Sequence, residues 1–175
     1  MKKPSPRHAV AGTAGLLLLA SGLATATPAS AGTTACPAEP ARYSFTNVKV
    51  SIRPTNLYSA YITGPGTITY SESKTATASA SMTATVSAEA GVVFAKASAS
   101  LGVTVGASYS ASGGFSYSLP VPSGQRRRLR LFQQSRYFVV TKKYFSTGAC
   151  KWYTSYSSAT NAPKKVRDDE WRLEA

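Results

Sequence analysis

Few residues in this 175-residue chain could do covalent chemistry. The single histidine, His8, lies in the extreme N-terminal segment, so a mature chain that begins near Gly32 has none. That removes Ser-His-Asp and Cys-His catalysis, histidine metal ligation and the histidine pH switch together. Ser71-Glu72-Ser73-Lys74 matches the letters of an S-x-x-K nucleophile. That chemistry needs the lysine amine within reach of the hydroxyl, as on a helix turn, whereas on a strand the two side chains point to opposite faces. The seven carboxylates are Glu39, Glu72, Glu89, Asp168, Asp169, Glu170 and Glu174, and none forms a pair spaced to face another across a sugar. There is no phosphate-cradling glycine loop and no metal-spaced cluster. The chain therefore reads as non-enzymatic, with neither metal nor cofactor expected; a secreted hydrolase is the remote alternative.

Binding chemistry is better represented. Arg126-Arg127-Arg128-Leu129-Arg130 is the strongest charge feature. On a strand, Arg126, Arg128 and Arg130 share one face with Phe132, and Arg127 shares the other with Leu129 and Leu131. Arg136, Lys142 and Lys143 follow, interleaved with Tyr137, Phe138, Tyr144 and Phe145. Such a face suits an anionic membrane or a cell-envelope polymer. Its bland alternative is a solvated strand face. Phosphate contacts would also suit nucleic acid, but secretion argues against that partner.

Secretion itself is read from residues 1–31. Lys2, Lys3 and Arg7 precede an apolar run, Ala9–Ala24, and Ala29-Ser30-Ala31 forms a small-x-small cleavage site. The run is short for a membrane span of about 20 residues. Cleavage takes three of the twenty basic residues and none of the seven acidic ones, lowering the formal charge from +13 to +10. What remains, residues 32–175, is the size of one domain. In an oxidising compartment Cys36 and Cys150 are expected to pair. A bond closing so long a loop contributes about 4–5 kcal/mol by chain entropy and staples the first strand to one of the last.

The elements that would carry these groups are strands. Tyr43–Val50 alternates, as does Leu57–Ile62 more loosely, between turn signals at Cys36-Pro37, Arg53-Pro54 and Gly64-Pro65-Gly66. Every odd position from Thr67 through Ser87 is Ser or Thr, while the even positions are mostly apolar. The parity flips at Gly91-Val92-Val93-Phe94, and apolar residues hold odd positions from Val93 to Tyr109. Period two predicts strands for both arms, forming a long hairpin over 67–118. A continuous arm would reach about 80 Å. Residues 89–100 are open to strand or short helix, because Ala88–Leu101 is alanine-rich and aligns Val93, Ala97 and Leu101. After the break at Leu119–Gly124, Arg126–Tyr144 reads as a long strand or strand pair. The tail 164–175 fits an edge strand, a short helix or disorder. The expected fold is mainly β: an elongated antiparallel sheet protein.

The tract Thr67–Ser87, its return arm Val93–Ser112 and the tip Gly91–Phe94 together resemble the stem region of aerolysin-type β-pore-forming proteins. Val121-Pro122-Ser123-Gly124, followed by Arg126–Tyr144, is similar to the break and strand after that stem. The resemblance implies a hairpin that joins those of other subunits in a membrane-spanning barrel, with Val92, Val93 and Phe94 as the inserting tip. It also implies homo-oligomers on membranes. Glu72, Lys74 and Lys96 depart from the pattern, and the would-be lipid face is mostly alanine. The expected function is that of a secreted, cationic, non-enzymatic protein that binds cell surfaces or membranes. Its alternative is an extracellular structural or envelope-associated β protein without lytic activity.

Overall fold

Period-two alternation runs through most of the chain beyond Ala35, and strands follow it. The computed structural model describes residues 35–175; the signal-peptide reading lies outside the described residues. In chain order the elements are β1 (Arg42–Tyr58), β2 (Ile62–Thr63), β3 (Gly66–Ser79), α1 (Ala84–Ala88), α2 (Ala90–Leu101), β4 (Ser108–Val121), β5 (Arg126–Ser146), β6 (Lys151–Pro163) and β7 (Asp169–Glu174). The fold is mainly β, as expected, and every strand pairing is antiparallel.

β5 is the central strand. Phe132 lies between Pro54 of β1 and Glu170 of β7, and Thr141 lies between Ser44 of β1 and Ser157 of β6. β1 thus takes one edge of β5, while β6 and β7 share the other, separated by the short gap 164–168. The tail is an edge strand. Arg53-Pro54 does not turn the chain: it lies inside β1, whose position at the sheet edge tolerates a missing N–H, and the register shifts just after it.

Burial along β5 changes side. Leu129, Leu131, Gln133 and Ser135 are buried at odd positions, but Phe138 and Val140 at even ones. Pairing with β6 runs unbroken from Ser135 to Lys142, so the change of parity is a change of face. One insertion, residues 66–121, covers both. β3 and β4 form a hairpin whose Ile68, Tyr70, Ala76, Ala78, Tyr109 and Phe115 cluster with Leu129 and Leu131. Hydroxyls line its outer face, with Thr69 bonded to Ser118 at 2.8 Å and Thr75 to Ser112 at 2.7 Å. Val86, Val93, Phe94 and Ala97 of the two helices cluster with Phe138 and Val140. The chain changes face beside the gap between β6 and β7. There Ser81 and Asn161 exchange backbone hydrogen bonds of 2.9 Å, and Gly106 N–H donates to Pro163 O at 3.1 Å.

The long-hairpin expectation is corrected here. β3 stops at Ser79 and β4 starts only at Ser108, so each arm has 14 residues. That is about 45 Å rather than 80 Å. α2 takes Val93–Leu101 of the expected return arm Val93–Ser112, so the helix left open for 89–100 is the one that forms. Alanine favours helix, and α2 gathers Val93, Phe94 and Ala97 onto one stripe beside Val86 of α1. A strand would send Val93 and Phe94 to opposite sides. Gly102 ends α2 in the left-handed conformation, at φ 64°.

Candidate anionic-surface site

The arginine ladder opens β5, which positions it by pairing with β2 and β7. Leu129 and Leu131 are fully buried, and their burial fixes the alternation that turns Arg126, Arg128 and Arg130 to the opposite face. The Arg126 guanidinium lies 4.5 Å from the Tyr61 ring centre, and Arg128 lies 4.8 Å from Tyr58 and 5.0 Å from Tyr61. Arg130 stands 5.8 Å from Tyr58. Glu174 on β7 pairs with both Arg128 and Arg130. Burial pushes the Glu174 carboxyl up, and the two guanidiniums together pull it below its ordinary value. Arg127 reaches only Gln125, at 3.0 Å. The four arginines are therefore brought together, but two of them share one carboxylate from the far end of the chain, which cancels one of the ladder's four charges.

A second ionic cluster escaped the sequence reading. Glu89, at the junction of α1 and α2, accepts hydrogen bonds from Tyr43 of β1 at 2.9 Å and Tyr156 of β6 at 3.2 Å, and pairs with Lys142 of β5. Lys142 first, then Tyr43, holds the Glu89 carboxyl below its ordinary value. Burial and the neighbouring carboxylate push the Tyr156 phenol up to about 12. One carboxylate in an otherwise acid-free Ala/Ser tract was the available signal. Its partners come from three other strands and could not be read locally. The cluster fastens the helices to the sheet.

Every one of the seven carboxylates pairs with at least one cation. Asp168, Asp169 and Glu170 pair with Lys164, Arg167 and Arg172, and Glu72 pairs with Lys74, which leaves Lys74 turned from Ser71. Eight cations are so engaged, and nine of the described residues' cations lack a carboxylate partner, among them Arg126, Arg127, Lys143 and Lys151.

Val92, Val93 and Phe94 sit in the first turn of α2 and not at a hairpin tip in this fold. Val92 is 48 % exposed, whereas Val93 and Phe94 are core residues. Cys36 and Cys150 are bonded, with Cα atoms 5.5 Å apart. The bond ties the segment before β1 to the turn between β5 and β6, rather than strand to strand. Among the described residues no helix is long and apolar enough to cross a membrane, which leaves strand-built spans undecided. Comparison of the chain with protein-family models, curated proteins and solved structures finds no match.

Proposed function

We propose that this is a secreted, non-enzymatic protein that binds anionic membranes or cell-envelope polymers. The observation that carries this reading is the nine cations without a carboxylate partner. Each basic group near an anionic surface is worth about 1 kcal/mol, and the attraction fades over about 8 Å at physiological salt. Binding to anionic vesicles should weaken steeply as salt rises, and neutral vesicles should bind poorly throughout. Salt-insensitive binding to neutral surfaces would reject the reading and point to a specific receptor.

A register favours a second reading, in which the insertion crosses the bilayer as an aerolysin-like hairpin. The residue numbers of every β3–β4 pair sum to 187, from Gly66 with Val121 to Ser79 with Ser108. Carried on through the helices, that register would set Met82 opposite Val105, Ala84 opposite Val103 and Val86 opposite Leu101. Ala88 would meet Ala99, Ala90 would meet Ala97, and Val92 would meet Ala95. All six pairs are apolar and fall on one face. The other face would carry Ser, Thr, Gly, Glu89 and Lys96, and the turn would fall at Val93-Phe94. A barrel strand needs this alternation over about 9–11 residues.

Two exposed helix positions test it. Ala99→Arg places a charge on the would-be lipid face, at a cost of up to about 2–4 kcal/mol, and Ser100→Arg places one on the polar face. Dye release from vesicles should be lost in the first and kept in the second. Equal behaviour of the two variants, or no release by the unmodified protein, rejects insertion and leaves surface binding standing.

A further inference from the structure

The free end of the β5–β6 hairpin differs from the rest of the sheet. Its last cross-strand pairs are Tyr144 with Tyr153, Phe145 with Trp152 and Ser146 with Lys151. Period two sets one aromatic pair on each face of the ribbon. Tyr144 and Tyr153 stack with ring centres 5.8 Å apart and remain 47 % and 44 % exposed; Phe145 and Trp152 lie 5.3 Å apart. No residue from Thr141 to Ala159 is buried, so these four rings fill no core.

Cations surround them. Arg42, paired with Glu39, lies over the Trp152 ring at 4.0 Å, and Lys143 and Lys151 are exposed without a carboxylate partner. The sequence holds no Asp or Glu between Glu89 and Asp168. A cavity of about 400 Å³ opens between Arg42, Tyr43, Ser44, Thr141, Lys143 and Trp152. The end is also held in place: Cys36 is bonded to Cys150, and its N–H donates to Thr147 O at 3.1 Å. A surface ordered in advance loses little entropy on docking.

We propose that this hairpin end docks at the interface of a bilayer containing anionic phospholipid. The rings would sit at headgroup depth, where Tyr and Trp are favoured, and Lys143 and Lys151 would meet lipid phosphates. Two features favour a bilayer over a sugar polymer. Rings on both faces form a girdle rather than one flat platform. Sugar hydroxyls also call for carboxylate or amide partners; Thr141–Ala159 contains neither type of side chain, and the nearby Glu39 carboxylate is engaged by Arg42 at 2.6 Å. The inference rests on the anionic-surface reading and moves first contact to the end of β5 opposite the arginine ladder, where Glu174 already engages Arg128 and Arg130.

The experiment uses the full mature protein and two vesicle types, phosphatidylglycerol with phosphatidylcholine, and phosphatidylcholine alone. Brominated acyl chains should quench Trp152 on the anionic vesicles, with Trp152→Phe as the blank because Trp171 lies in a stack with Tyr70 and Tyr117. Lys143→Gln with Lys151→Gln should weaken binding by about 10- to 30-fold. Tyr144→Ser with Tyr153→Ser should weaken it about tenfold, with dichroism checking the fold. Arg126→Gln with Arg127→Gln should cost less than either. Binding with Trp152 unquenched, or kept by both tip variants while the arginine variant loses it, overturns the tip and preserves the anionic-surface reading. Loss of polymer binding alone in the tip variants overturns it in favour of a glycan. An unmodified protein that binds no anionic vesicle but holds an anionic envelope polymer also overturns the tip alone; one that binds neither overturns both.

Discussion

Two antiparallel hairpins, β3–β4 and β5–β6, hold most of this molecule, and they differ in how firmly their connections and strands are committed to one conformation. In β5–β6 the large residues of β5 decide, since Leu129 and Leu131 commit one face to the first core and Phe138 and Val140 commit the other to the second. β3–β4 sets Ser or Thr on one face and a mixed set on the other, where Ala76, Ala78 and Ala111 lie among the anchors Ile68, Tyr70, Tyr109, Phe115 and Val121 that hold it on the sheet. The alanine-rich run continues from Ala76 into the helices. Burying a large apolar side chain is worth about 1.5–3 kcal/mol, and alanine far less. The small side chains of the insertion fit a strand and a helix almost equally well. Its conformation is therefore decided by what it rests on, and the same chain that is strand at Ala78 is helix at Ala97.

The largest effects should come from the β5–β6 side. Removing the Cys36–Cys150 bond by a double Cys→Ser change should lower stability by about 4–5 kcal/mol, read from the denaturation midpoint. Phe138→Ala should cost about 3–5 kcal/mol, because the ring is fully buried against the helices. If Phe138→Ala costs under about 1 kcal/mol, the contrast in commitment between the two hairpins collapses.

Glu89→Gln should cost about 1–2 kcal/mol by weakening bonds to Lys142, Tyr43 and Tyr156. The Glu89 carboxyl is held below its ordinary 4.5 in the folded state. Its contribution is therefore full above that pH and is lost as pH falls through the lower folded value. The melting temperatures of the unmodified protein and Glu89→Gln should stay apart down to pH 4.5 and draw together below it. Parallel curves would show that the carboxylate does not fasten the helices. Hydrogen exchange in residues 84–101 should quicken in that variant while β5 stays protected. Smallest of all, Thr75→Val should change stability by under about 1 kcal/mol, since its hydroxyl pair with Ser112 is exposed.

Much of the fold was legible in the chain. Alternation located the first half of β1, most of β3, β4 and β5, and parity correctly divided Arg126, Arg128 and Arg130 from Leu129 and Leu131. Strands report their faces through nearest neighbours, so a local pattern suffices. The cysteine count foretold the disulfide for a different reason: two cysteines allow one intramolecular pairing, however far apart they lie. The ladder's partial neutralisation by Glu174, and the tether on Glu89, were not legible. Both join residues more than forty positions apart.

The sequence by itself determined that this protein would be built mainly of antiparallel strands, cross-linked once and strongly basic. Composition and period two are properties of the chain alone. Only the tertiary structure decided the state of residues 80–107, where both periods are written into one alanine-rich segment. Phe138 and Val140 offer an apolar face that Val86 of α1 and the Val93, Phe94 and Ala97 stripe of α2 can cover. A strand there, alternating about its axis, would bury only half of those side chains on that face.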